Sequence, residues 1–476
     1  MLYIAGEWRE AASGKRFASH DPATGEIVGE VADGGVEDVR AAIDAASAAF
    51  GDWSTRTAYD RSSYLYRSWE LLLERREAMA KLMTQEQGKP IRMARAEIGY
   101  AADFLQWFAE EAKRIYGQTI PSPRADQRFL VMHQAVGVVG AITPWNYPVS
   151  MLTRKIGPAL AAGCTVVLKP AEQTPLCAVE MFKVFADAGI PDGVVNLVTS
   201  SDGPAVGGEL VSHPAVRKIT FTGSTEVGKL IAAQAASSVK RVSLELGGHA
   251  PFLVLDDADP VHAAKGAAAV KFLNTGQACI CPNRLFVQRN IAPAFLETLE
   301  ARFNGFKAGN GLTDGITVGP LIDDQAMEKM ERQVADAVGK GANLVTGGKR
   351  LTHDGLDAGR FYAPTLLADV TPDMLIYREE TFGPVAPVII FDTEDEVIEM
   401  ANDTEYGLAS YIYTNNLSRA FRTAERLRFG IIGINDINPT AAAAPFGGVK
   451  ESGLGREGAR EGLNEYLDTK LVGLAV

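Results

Sequence analysis

From about residue 136 onward, short apolar runs alternate with amphipathic stretches, and no other feature restricts the fold as much. Residues 136–142, 165–168, 194–198 and 219–222 read as buried strands, and 152–162, 176–188 and 226–236 as the helices between them. Such alternation predicts an open parallel sheet covered on both faces. Ligands of such sheets sit beyond the carboxyl ends of the strands. A second alternating region runs from about residue 250 to 435. Because 476 residues exceed what one hydrophobic core supports, two or three domains are expected. The first third reads as mostly helical, with Ala101, Phe104, Leu105, Phe108, Ala109, Ala112 and Ile115 on one buried helical face. Residues 128–134 and 466–476 read as strands outside both regions, and an exposed strand edge invites pairing with another subunit.

Charge and cysteine content narrow the function. A net charge of -12 argues against nucleic acid or an anionic membrane as partner. Four cysteines are too few for a disulfide framework in this length and suit a reducing compartment. The opening residues show no basic region followed by a long apolar stretch, and no apolar run approaches the ~20 residues of a membrane span. A cytoplasmic protein is expected. The six histidines are scattered without metal-ligand spacing, so no metal is expected. Gly203–Gly208 is glycine-rich but reads as a plain loop.

Six separated strings carry the chemistry: ITPWNYP (142–148), LKPAEQTP (168–175), FTGSTEVG (221–228), LELGGHAP (244–251), GQACICPNR (276–284) and EETFGP (379–384). In this order they resemble the aldehyde dehydrogenase superfamily. The resemblance runs from YIAGEW (3–8) through PFGGVKESGLGREG (445–458) to the tail. It implies an α/β fold with a Rossmann-like cofactor domain (1–119 and 140–247), a second α/β catalytic domain (248–438) and a small β oligomerisation element (120–139 and 455–476). A homo-oligomer, dimer or tetramer, built through strand pairing of residues 128–134 and the C-terminal strand, is expected.

On residue type alone Cys279 is either a small buried hydrophobe or a nucleophile. The resemblance places the nucleophile there, on the first cysteine of the CxC pair. Its thiolate would attack the aldehyde carbonyl, and the thiohemiacetal would lose hydride to NAD. The side-chain amide of Asn146 and the Cys279 backbone N–H are the implied oxyanion donors; without that context Asn146 is a turn residue before Pro148. Glu245 is the implied base for thioester hydrolysis, with a pKa raised by its apolar strand; the alternative is a solvent-facing carboxylate at a sheet edge. Thr143, Trp145, Lys169, Glu172, Gly223, Ser224, Glu380 and Phe382 are the implied cofactor contacts. A carboxylate such as Glu172 on the ribose favours NAD, and Gly223-Ser224 open a helix whose free N–H groups suit a phosphate. Lys155 matches a lysine assigned either to proton relay or to structure.

The substrate reading is narrower. TRK (153–155), ELGGHAPF (245–252) and the CxC loop resemble succinate-semialdehyde dehydrogenases, with Arg154 as a substrate-carboxylate ligand. The second arginine of that subfamily is here Leu273, so half the anion clamp is missing. A semialdehyde acid is expected, with a longer semialdehyde, a hydroxyaldehyde or another small aldehyde as alternatives. A catalytically inactive binding or structural protein, and a branch that transfers the acyl group to CoA, are the competing readings; Cys279, Asn146 and Glu245 speak against the first, and Glu245, which the CoA branch lacks, against the second. Cys281 is either packing or the redox partner of an oxidisable Cys279.

Overall fold

The computed structural model describes residues 1–476 and contains two large sheets. The first has eight strands, with Arg241–Glu245, Val216–Thr222, Val138–Ile142, Thr165–Lys169 and Val195–Leu197 side by side at its centre. These five run parallel, as the alternation predicts, because each returns through a helix. Their helices divide between the faces. Ser150–Ala162 and Pro175–Asp187 pack with Ile91–Glu111 into one core of 44 buried residues. Val36–Thr55, Gly203–Ser212 and Thr225–Ala236 close the other face over a core of 21.

The chain runs outward from Val138–Ile142 to Val195–Leu197, then returns to place Val216–Thr222 on the opposite side. A crevice therefore opens between the carboxyl ends of Val138–Ile142 and Val216–Thr222. The second sheet has seven strands, with Ala250–Val254 and Pro282–Gln288 adjacent and parallel at its centre. Its two faces carry cores of 26 and 24 buried residues.

Three sequence expectations need correction. The first third is helical only after residue 35; before it lie the strands Leu2–Ile4, Glu7–Arg9, Arg16–His20 and Ile27–Ala32. Each has at most six residues, too few to display a period. The glycine-rich stretch at 203–208 is not a loop but the start of the helix Gly203–Ser212. The Asp202 side chain accepts from the Ala205 N–H, and a proline in the first turn fixes φ, which outweighs the glycine cost. Finally, the two outlying strands pair first with each other. Leu467–Ala475 runs antiparallel to Gln127–Ala135 over nine residue pairs, and Gln118–Ile120 takes the other side of the latter. No helix is long and apolar enough to cross a membrane.

Candidate active site between the two sheets

The crevice of the first sheet faces the loops that lead into the second. Asn146 follows the strand Val138–Ile142, and Glu245 ends Arg241–Glu245. From the other side, Cys279 precedes Pro282–Gln288 and Glu380 precedes Val385–Phe391.

The Cys279 loop is held in an unfavourable backbone. Asn274, Thr275 and Gly276 have φ of 48°, 60° and 81°, three left-handed residues in a row. For the two non-glycines this costs about 1–2 kcal/mol each. Several hydrogen bonds over-determine the loop. The Thr275 hydroxyl accepts from the Gly319 N–H at 2.9 Å, and the Gln277 side chain accepts from the Ile322 N–H at 3.0 Å. The Asn274 amide donates to the Asn146 carbonyl at 2.9 Å, and the Asn146 amide donates to the Gln277 carbonyl at 3.0 Å. Asn146 thus ties the first sheet to the nucleophile loop. One of its amide hydrogens remains available, and the Cys279 N–H donates to no acceptor in the chain.

Beneath Asn146 lies a charge pair that sequence reasoning missed. Lys89 and Glu97 bury their side chains completely and pair with each other. The Lys89 ammonium also donates to the Asn146 carbonyl at 2.7 Å. Glu97 accepts from the Val149 and Ser150 N–H groups at 3.0 and 3.2 Å, at the start of the helix carrying Arg154 and Lys155. Lys89 lies in the short link before the helix Ile91–Glu111 that carries Glu97, and a pair eight residues apart matches no one-turn helical spacing.

Glu245 is 3 % exposed, with one carboxylate oxygen lacking any partner. Burial, and next the negative Glu457, push its pKa up to about 7, although Arg154 and Lys155 pull the other way. Cys279 is partly exposed, but its thiol is also pushed well up, by burial and then by the charge of Glu245. The expected thiolate is therefore a protonated thiol in this state. Glu457, inside the segment expected to bridge subunits, instead contacts Lys155 and lies 3.0 Å from the Arg154 guanidinium. Burial opposes its charge, yet the two cations outweigh it and its pKa falls.

Two cavities meet at Cys279. One, of 360 Å³, is lined by Trp145, Asn146, Gly223, Ser224, Glu245, Glu380 and Phe382. Phe382 and Trp145 meet edge to face with centroids 5.6 Å apart, and Glu380 accepts from the Gly248 N–H at 2.9 Å. Ser224 caps the helix Thr225–Ala236. Thr143, Lys169 and Glu172 lie outside this cavity. The Thr143 N–H donates to the Lys169 carbonyl at 3.1 Å, and Lys169 pairs with the exposed Glu172 at 2.9 Å. The other cavity, of 410 Å³, is mostly apolar and includes Arg154, Leu273 and Thr440 in its wall. Arg154 is only 1 % exposed, with Phe446 4.0 Å from its guanidinium and two guanidinium nitrogens, Nε and Nη2, without a hydrogen-bond partner. Cys281 lines neither cavity. It is fully buried, and its thiol donates to the Val270 and Leu273 carbonyls.

The family profile described as "Aldehyde dehydrogenase family" matches residues 8–472, and the chain belongs to that family. It is 52 % identical to a glutarate-semialdehyde dehydrogenase of Pseudomonas aeruginosa, over 99 % of this chain and 96 % of that protein. It is 51 % identical to a succinate-semialdehyde dehydrogenase [NADP(+)] of Escherichia coli, over 98 % of this chain and 96 % of that one. The crystal structure of a succinate-semialdehyde dehydrogenase from Burkholderia pseudomallei superposes with a TM-score of 0.98 at 48 % identity, covering 100 % of this chain and 98 % of that one. The chain is thus an oxidoreductase acting on aldehydes.

Gly248 packs directly against the backbone of the nucleophile loop. A Cβ there would lie 2.3 Å from the Cys279 carbonyl oxygen, a backbone atom that cannot swing aside. Gly248→Ala is therefore expected to displace the nucleophile loop, lowering kcat by at least about tenfold and stability by about 1–3 kcal/mol. Thermal unfolding and steady-state rates check this, and wild-type values for both would contradict the packing described.

Proposed function

We propose that the protein is a non-acylating, NAD-dependent aldehyde dehydrogenase that oxidises a semialdehyde acid, such as succinate semialdehyde, through a thioester on Cys279. One observation carries this reading: Cys279 stands at the junction of two cavities, with Glu245 and Asn146 beside it. Glu245, with a pKa of about 7, accepts the Cys279 proton as sulfur adds to the carbonyl carbon. The developing oxyanion takes hydrogen bonds from the free Asn146 amide hydrogen and the Cys279 N–H. Nicotinamide dinucleotide, when bound, accepts the hydride. After that loss, Glu245 releases the thiol proton to solvent and then deprotonates a water that adds to the thioester; the Cys279 thiolate leaves as the carboxylic acid forms and is reprotonated.

The residues of the first cavity fit the cofactor. Ser224 and Gly223 present a helix N-terminus to a phosphate, while Glu380 and the Trp145–Phe382 pair offer a hydroxyl acceptor and flat apolar walls. Lys169 and Glu172 lie at a strand end where the adenosine ribose would be held, with Thr143 beside them. The names of the relatives support an acidic aldehyde. The domain division expected above is part of the same proposal. So is a homo-oligomer, supported by Leu471 and Leu474, which stay 63 % and 50 % exposed on the terminal strand.

Aldehyde-dependent NADH formation that disappears in Cys279→Ala tests the reading; a Cys279→Ala protein with wild-type turnover would overturn it. Because the base form of Glu245 is required, kcat should fall about tenfold per unit as pH drops below about 7. A kcat constant down to acidic pH would remove Glu245 from the rate-limiting step.

The exposed Glu172 carboxylate would oppose a ribose 2′-phosphate. At ~4 Å and an effective dielectric of 20 the repulsion is about 4 kcal/mol, an upper scale that solvent reduces. kcat/KM is therefore expected to favour NAD over NADP, and Glu172→Ser to narrow the ratio. Equal use of both cofactors by the wild type would exclude this role for Glu172.

A further inference from the structure

Beyond the apolar cavity lies a third hollow of 600 Å³, and Ala269, Leu273 and Ile437 belong to the walls of both. The two hollows therefore adjoin across a shared wall, the inner one reaching Cys279. The outer hollow has an unusual charge pattern for a chain of net charge -12. Arg92, Lys265 and Arg302 line it, and no acidic residue does. They come from three different helices, Ile91–Glu111, Pro260–Lys271 and Ala292–Asn304. All three are exposed, and none of their side chains makes an ion pair or hydrogen bond.

The inner cavity is the reverse. Its two cations are already engaged, Lys89 with Glu97 and Arg154 with Glu457, and both are buried to within 1 % of full enclosure. Leu273, in the wall the two hollows share, adds no charge. An anionic group that must lose water to enter the apolar cavity gains little there, whereas the outer hollow offers three unpaired cations in partial solvent.

We propose that the outer hollow is an anion-binding subsite that holds the tail of a long acidic aldehyde, while the aldehyde end lies at Cys279. This rests on the dehydrogenase reading above and names its substrate class: an aldehyde separated from a distal carboxylate by an apolar spacer that fills the inner cavity. Each methylene that lengthens the spacer toward the outer hollow should raise kcat/KM by about three- to fourfold.

The test compares wild type with the triple variant Arg92→Gln, Lys265→Gln, Arg302→Gln on succinic, glutaric and adipic semialdehydes, with hexanal as the uncharged control. All three positions are exposed, so the variant should keep its thermal unfolding midpoint. In wild type, kcat/KM should rise along the acid series, and added salt should raise KM for adipic semialdehyde. In the triple variant KM for adipic semialdehyde should rise by roughly tenfold and lose its salt dependence, with hexanal unchanged within about twofold. Acids preferred over hexanal, but with KM unaltered in the triple variant, would overturn the subsite alone. Hexanal used as well as the acids by wild type would overturn the acidic-substrate reading and the subsite with it. A parallel loss on hexanal would mark the substitutions as structural and also contradict the subsite.

Discussion

Asn146 and the loop at 274–277 hold each other across the space between the two sheets, and the remaining geometry depends on that exchange. The Asn146 amide donates into the loop, and the Asn274 amide donates back to the Asn146 carbonyl. Neither partner has freedom left over, because the same carbonyl also receives the Lys89 ammonium and the loop is anchored at Gly319 and Ile322. Each hydrogen bond contributes only about 0.5–1.5 kcal/mol net, yet breaking one leaves a buried polar group unpaired at greater cost. That asymmetry lets a modest number of bonds hold three consecutive left-handed residues, and so fix where Cys279 stands.

The electrostatics follow from the same enclosure. Burial raises both the Glu245 carboxyl, to about 7, and the Cys279 thiol, so the enclosure disfavours the charged form of each. Glu457 stays charged behind them because Lys155 and Arg154 compensate it, and its charge raises Glu245 further. A carboxyl near 7 can take a proton from a thiol or a water and release it again, whereas one at its ordinary value near 4.5 would be a weaker base.

Much of this was legible in the sequence, and the rest was hidden for identifiable reasons. The parallel strands ending at Ile142, Lys169, Thr222 and Glu245 were readable because buried strands are continuous apolar runs. Trp145, Asn146, Gly223, Ser224, Glu380 and Phe382 converge with Cys279 on one cavity, as their shared resemblance implied. The part of Glu457 was not readable because Lys155 lies 302 residues away, and the role of the Lys89–Glu97 pair was not because its contact with Asn146 spans 57 residues. The short strands before residue 33 were too brief for periodicity, and the helix starting at Gly203 was masked by its glycines. Arg154 and Cys281 show the limit from the other side. Their positions were inferable, but their engagement with Glu457 and with backbone carbonyls was not.

The central claim is that Cys279 carries the acyl group between hydride loss and hydrolysis, with Glu245 needed only to free the thiol and activate water. Glu245→Gln should therefore accumulate the acyl-enzyme when mixed with NAD and succinate semialdehyde at a pH high enough to ionise part of the thiol. Intact-protein and peptide mass spectrometry would read this directly. The account predicts one acyl group per chain, on the peptide containing Cys279, formed only when NAD is present and released by hydroxylamine. An unmodified Cys279 in a protein that still forms NADH, or an acyl group on another residue, would contradict it.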